Sequence, residues 1–129
     1  MSDVNPQELI DDLDQGLEEV GEDVTLSRFY GTNRIQVSVE LRTVLTGYSM
    51  EEVAGDIQQT DQKFVISPTQ INLRQWPGFH NNETEDRDQR IPRKNDEILA
   101  SRGRMAVQEA SGRYIQGILV RIDGRVRGV

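Results

Sequence analysis

Leu9, Ile10, Leu13, Leu17 and Val20 recur at offsets 0, 1, 4, 8 and 11, one apolar stripe at helical period. Asn5-Pro6 stands just ahead of it. Asn accepts from the open amides of a first turn, and Pro fits the first helical position. Gly21 supplies a stop, so the spacing predicts a helix over 5–20 with an exposed acidic side. Gly16 weakens its middle by about 1 kcal/mol relative to Ala. The early acids suit the positive end of the helix dipole, whereas Glu18 and Glu19 sit against its negative end.

From Val24 the period changes to two. Val24, Leu26 and, at the next alternate position, Arg28 begin a short strand, and Gly31-Thr32-Asn33 reads as a turn. Ile35, Val37, Val39 and Leu41 then alternate with Gln36, Ser38, Glu40 and Arg42, the clearest half-buried strand in the chain. Thr46–Ser49 interrupts it, and Glu51 to Gln59 fits neither period. Lys63–Ile66 is a short strand stopped by Ser67-Pro68, since proline cannot donate to a ladder. Residues 69–90 read as one long connection, with Ile71, Leu73 and Trp76 its apolar positions and six charges within 78–90. Loops of that length are usually functional or disordered. Short strands follow at Glu97–Ala100, at Met105–Ala110 and along the alternation from Tyr114 to Ile122, with turns expected at Gly103, Ser111-Gly112 and Asp123-Gly124. Such spacing suits a single mainly β domain, a small β-barrel or sandwich (24–127) behind an N-terminal α-helix, with one long polar loop at 78–90.

Composition agrees. Among 129 residues Ile and Val number 22 while Leu is 9 and Ala 4, a β-branched bias that suits pleated surfaces. No cysteine is present, which removes disulfides, thiolate metal sites and cysteine nucleophiles. The single histidine, His80, leaves little imidazole chemistry. No apolar run approaches the ~20 residues of a membrane helix, and the acidic N-terminus lacks the features of a signal peptide, so an intracellular soluble product is expected.

The net charge of −7 is unevenly placed. Residues 1–27 hold nine acids and no base, while the remaining 102 hold thirteen acids and fifteen bases, a balance of +2. Thirteen of the fifteen bases are Arg, which favours bidentate pairing. One reading is a solvated acidic helix on a mixed-charge body. The other pairs the acidic helix with an Arg-rich C-terminal strand of a neighbouring copy.

Candidate chemistry is sparse. Phosphate loop, dinucleotide fingerprint, zinc spacing and nucleophile elbow are all missing, so no enzyme, cofactor or metal is expected. His80 beside Glu83, Glu85, Asp86 and Asp88 reads as a solvated loop histidine, because metal sites draw ligands from several elements. Trp76 is expected to plug the core. Phe79, an aromatic in a polar segment, reads as a partner anchor. A binding barrel using Trp76 and Tyr114 for a small molecule or carbohydrate is a further reading.

Three runs, in order, resemble a known family. They are Lys63-Phe64-Val65-Ile66-Ser67-Pro68-Thr69, then Trp76-Pro77, then Ile91-Pro92-Arg93-Lys94-Asn95-Asp96-Glu97-Ile98. With Gly103–Ala110, Val20–Leu26 and Thr46-Gly47-Tyr48, they resemble head–tail joining proteins, also called head-closure or stopper proteins, of long-tailed bacteriophages and gene transfer agents. The likeness spans most of residues 20–127. Asn95 replaces the family's usual Gly, and Asn tolerates left-handed geometry. Residues 78–90 are longer and more charged than the usual link.

The resemblance implies a homo-oligomeric ring of sixfold or twelvefold symmetry in the virion neck, made in the bacterial host cytoplasm. It would close the portal exit after DNA packaging and offer a surface to the tail. Its neighbours would be the portal or an adaptor on one side and the tail terminator or tail tube on the other, with DNA passing unbound through the lumen and no membrane involved. A tail-completion or tail-terminator ring of the same machinery is the alternative. The residues expected to face partners are Phe79, His80, Glu83, Asp86, Arg87 and Arg90 in the loop, and Arg121 and Arg125 near the C-terminus.

Overall fold

The computed structural model describes residues 5–53, 55, 57–58, 60–78 and 88–128. The described chain begins with helix α1 (Pro6–Val20), placed where the stripe predicts. Asn5 is its cap, accepting from the Gln7 amide at 2.9 Å. Ile10 and Leu17 are buried, while Leu9 and Val20, at the edges of the stripe, are exposed. Gly21 ends the helix in an extended conformation rather than a left-handed one. Its function is room: a Cβ there would lie 2.5 Å from the Leu17 carbonyl and 2.9 Å from that of Thr43.

Six antiparallel strands follow: β1 (Glu22–Tyr30), β2 (Ile35–Gly47), β3 (Gln62–Ile66), β4 (Glu97–Ala100), β5 (Gly103–Ile115) and β6 (Ile118–Gly128). They close a barrel in the order β1-β2-β3-β6-β5-β4, which excludes the sandwich alternative. Two long hairpins, β1–β2 and β5–β6, make most of the wall. The short strands bridge them, β3 joining β2 to β6 and β4 joining β1 to β5. Because β3 pairs only with Thr43–Gly47 and Ile122–Val126, the flanks of β2 and β6 beyond it need other cover. α1 lies against β6 and β2, and a second helix, α2 (Thr69–Arg74), lies against β2.

The inward positions of alternate strand residues form one core with Leu26, Phe64, Ile66, Ile98, Val107, Ile122 and Val126 at its centre. Burying each such side chain stabilises by roughly 1.5–3 kcal/mol. Trp76 is buried as expected, at 3% exposure, and its indole donates to the Val37 carbonyl at 2.9 Å on the open flank of β2.

The structure corrects several expectations. Residues 69–74 form α2, a single-sided helix too short to show a repeating pattern, with Ile71 alone buried. Met50–Glu52 make a 3₁₀ turn that reaches into the start of the stretch, 51–59, that fitted neither period. Ser111-Gly112 and Asp123-Gly124 are not turns: β5 and β6 run straight through them, paired Ser111↔Asp123 and Gly112↔Ile122. The true turn is Gln116-Gly117, with φ of 53° and 77° between Ile115 and Ile118. Two successive positive φ values are what a tight two-residue hairpin requires. Gly124 is a glycine for space, since a Cβ would enter the Phe64 ring and lie 2.6 Å from the Glu109 carbonyl.

Candidate functional site: the clamped roots of the charged segment

Arg28 is the organising residue, and it is not among the site residues singled out from the sequence, although its place at the next alternate position after Val24 and Leu26 is the signal that could have found it. Val24, Leu26 and Arg28 alternate inward on β1, so the third of them carries a charge into the barrel end. Only 1% of it is exposed, and a buried guanidinium must find partners for its donors. Asp96 supplies two: Nε lies 3.1 Å from both carboxylate oxygens and Nη2 2.8 Å from Oδ2. The Gln89 carbonyl accepts from Nη1 at 2.9 Å and the Ile91 carbonyl from Nη2 at 3.1 Å. The guanidinium stacks on the Trp76 ring, 4.6 Å from its centroid. Burial alone would lower the Arg28 pKa, but the bond to Asp96 and its charge outweigh that and raise it.

The Arg93–Asp96 turn delivers that carboxylate. Asn95 holds φ at 81°, the left-handed geometry expected of it, and Asp96 Oδ2 accepts from the Arg93 amide at 2.9 Å. The Asp96 carbonyl then accepts from Val107 at 2.8 Å, extending the ladder at the edge of β5.

A second layer fixes residues 88–91. Arg90 donates through Nε and Nη2 to Asp88, at 3.0 and 2.7 Å, and through Nη1 to Asn72 of α2 at 2.9 Å. Tyr114 of β5 donates to Asp88 at 2.8 Å. Burial would raise the Asp88 carboxyl, but Arg90 and Tyr114 together hold it down at about 2. Ile91 packs where Gly112 has no side chain. A cleft of about 780 Å³ lies between the two roots, lined by Trp76, Pro77, Asp88 and Arg90.

Of the expected partner-facing residues, Phe79, His80, Glu83, Asp86 and Arg87 lie outside the described residues. Arg90 is engaged with Asp88 and Asn72, which makes it an anchor of the segment's second root. Arg121 is exposed and pairs with Asp123 at 2.9 Å. Arg125 is placed differently from the expectation, being 4% exposed and held inside the chain. Its Nη1 lies 2.6 Å from Asp61, a fully buried carboxylate that also accepts from Arg127 at 2.7 and 3.0 Å and from the Gln58 amide at 3.0 Å. Arg127 is the leading cause of a marked depression of the Asp61 pKa. This cluster ties the connection before β3 onto β6.

The open carbonyls at the end of α1 find an intramolecular partner. No base occupies the last turn of α1, and Arg42 of β2 takes that place. It donates to the Leu17, Glu18 and Gly21 carbonyls at 2.9, 3.3 and 2.5 Å, countering the dipole end where Glu18 and Glu19 sit.

Among the described residues no group of acids and histidine is arranged to hold a metal, and no helix is long and apolar enough to cross a membrane. Neither a family model, nor a curated protein, nor a solved structure matches the chain.

Proposed function

We propose that this barrel is a non-enzymatic structural component of the neck of a tailed bacteriophage, closing the portal exit after packaging and presenting the surface to which the tail joins. One observation carries the reading. The runs that resemble head–tail joining proteins converge on a single unit in space. Ser67-Pro68-Thr69 starts α2, α2 leads to Trp76-Pro77, and Pro92–Asp96 delivers the carboxylate that holds Arg28. That unit fixes Trp76 and residues 88–96, on either side of the charged segment, against the barrel, and on this reading the segment serves as plug or docking arm.

The reading is tested genetically. A phage lacking this gene should accumulate DNA-filled or leaking heads beside separate finished tails. A copy deleted for residues 80–87, which spares every anchoring contact above, should fold but fail to restore joined particles. Normal infectious particles from that deletion would remove the segment from the function. Joined particles without the gene would remove the function itself.

A further inference from the structure

Helix α1 is seated outside the barrel core. Of its fifteen residues Pro6, Ile10 and Leu17 are buried, and none of them belongs to the core cluster. The helix lies against β6, whose one buried apolar residue outside that cluster is Val120. The β5–β6 register skips this residue: Arg113 faces Arg121 and Tyr114 faces Leu119, so Val120 has no partner on β5. A residue left over in a ladder in this way leaves the regular alternation. The C-terminal half of α1 is tied down by polar contacts instead. Arg42 holds the Leu17, Glu18 and Gly21 carbonyls, and Thr69 donates to Asp14 at 2.6 Å. A cleft of about 430 Å³ runs between this half and the barrel, lined by Leu17, Leu41, Ser67 and Gln70. Atoms that face such a gap lose the dispersion contacts of close packing.

The helix also works against itself. Glu8 and Asp11 stand three positions apart, as do Asp11 and Asp14, while Glu8 and Asp12, and Asp14 and Glu18, stand four apart. Like charges at those spacings repel across neighbouring turns. No base lies within α1, and among the described residues none of these acids makes an ion pair. Glu18 and Glu19 oppose the negative end of the dipole, and Gly16 weakens the middle. A fifteen-residue helix of this kind is marginal in water once it leaves its support, so undocking also unwinds it and lets its charges spread. The strands are held differently, each hydrogen-bonded to a neighbour on both sides in the closed barrel.

We propose that α1 opens from the barrel and unwinds as one unit while the six strands stay closed, uncovering Val120 and the Ser67–Thr69 entry to α2. Ionic strength sets the balance, because salt screens the repulsion that exists in the folded helix and is relieved in the unwound one. The device belongs to the isolated chain and does not depend on the neck reading.

The test is hydrogen exchange of the full chain, read amide by amide by NMR through a series of low urea concentrations, at low and at high sodium chloride. Amides from Ile10 to Val20 should share one opening reaction with one urea dependence, about a hundredfold more frequent than the opening of β5 and β6. High salt should slow exchange in α1 and leave the β5 and β6 amides where they were. Arg42→Ala, which frees three carbonyls, should speed α1 exchange about tenfold. Glu18→Gln combined with Glu19→Gln, on exposed side chains, should slow it. Exchange of α1 at the rate of the strands, fraying graded inward from the helix ends without a shared urea dependence, or an α1 rate unmoved by salt and by both variants would each overturn the proposal.

Discussion

Arg28 and Asp96, 68 positions apart in sequence, lock together with 1% and 3% of their side-chain surfaces exposed. Removing one partner of a buried pair costs about 3–5 kcal/mol, because the other charge is left stranded, whereas an apolar replacement of both is often tolerated. Asp96→Ala should therefore destabilise the chain by that amount in urea unfolding. Arg28→Met combined with Asp96→Leu should recover most of the loss, though not all, since the Arg93 amide also loses its acceptor. Equal losses in single and double variants would show that the pair is not the source of the effect.

Arg121 and Arg125 should part company on charge reversal. Arg125→Glu places an acid against the buried Asp61 and beside the exposed Glu109, so thermal unfolding should show a loss of about 3–5 kcal/mol or failure to fold. Arg121→Glu, on an exposed side chain, should stay within about 0.5 kcal/mol of the original. Similar stabilities for the two would contradict the burial described for Arg125.

Two glycines should respond in opposite directions to alanine. Gly124→Ala drives a methyl into the Phe64 ring, an overpacking cost of about 1–3 kcal/mol or more. Gly16→Ala meets nothing within 4 Å in a helix interior and should stabilise by about 0.5–1 kcal/mol. Denaturant midpoints read both, and a shared sign would refute the contrast.

How far the sequence discloses this fold is clear from those glycines. Local patterns were readable in the capped stripe of α1 and the alternation from Ile35 to Leu41, while the left-handed Asn95 followed from the resemblance. Ser111-Gly112 and Asp123-Gly124 carry the dipeptides of turns, yet their glycines answer to Ile91, Leu119 and Phe64, which approach from other strands. Nothing within a few residues shows such crowding. The candidate site was legible in the same partial way. Arg28 falls on the inward register, a signal that some acid must be buried with it, but the partner stands 68 positions away and cannot be chosen by spacing. Arg125 read as partner-facing because its acceptor, Asp61, stands 64 positions away and spacing cannot choose it.

Acid should loosen the clamped roots. Asp88 is held at about 2 in the folded chain, against ~3.9 when unfolded, and Asp61 is also depressed. A carboxylate with a lowered folded value contributes stability above its unfolded value and loses it as pH falls through the folded one. Melting temperature should hold level down to about pH 4 and fall from there toward about pH 2. Asp88→Asn should melt lower at neutral pH and respond less to acid across that window. An identical acid response in both proteins would take Asp88 out of the effect.

The most direct measurement is cryo-electron microscopy of the assembled particle with this chain traced in the density. The connector reading requires a ring of these six-stranded barrels between portal and tail. Finding the chain at the end of the tail tube, or nowhere in the particle, would contradict it.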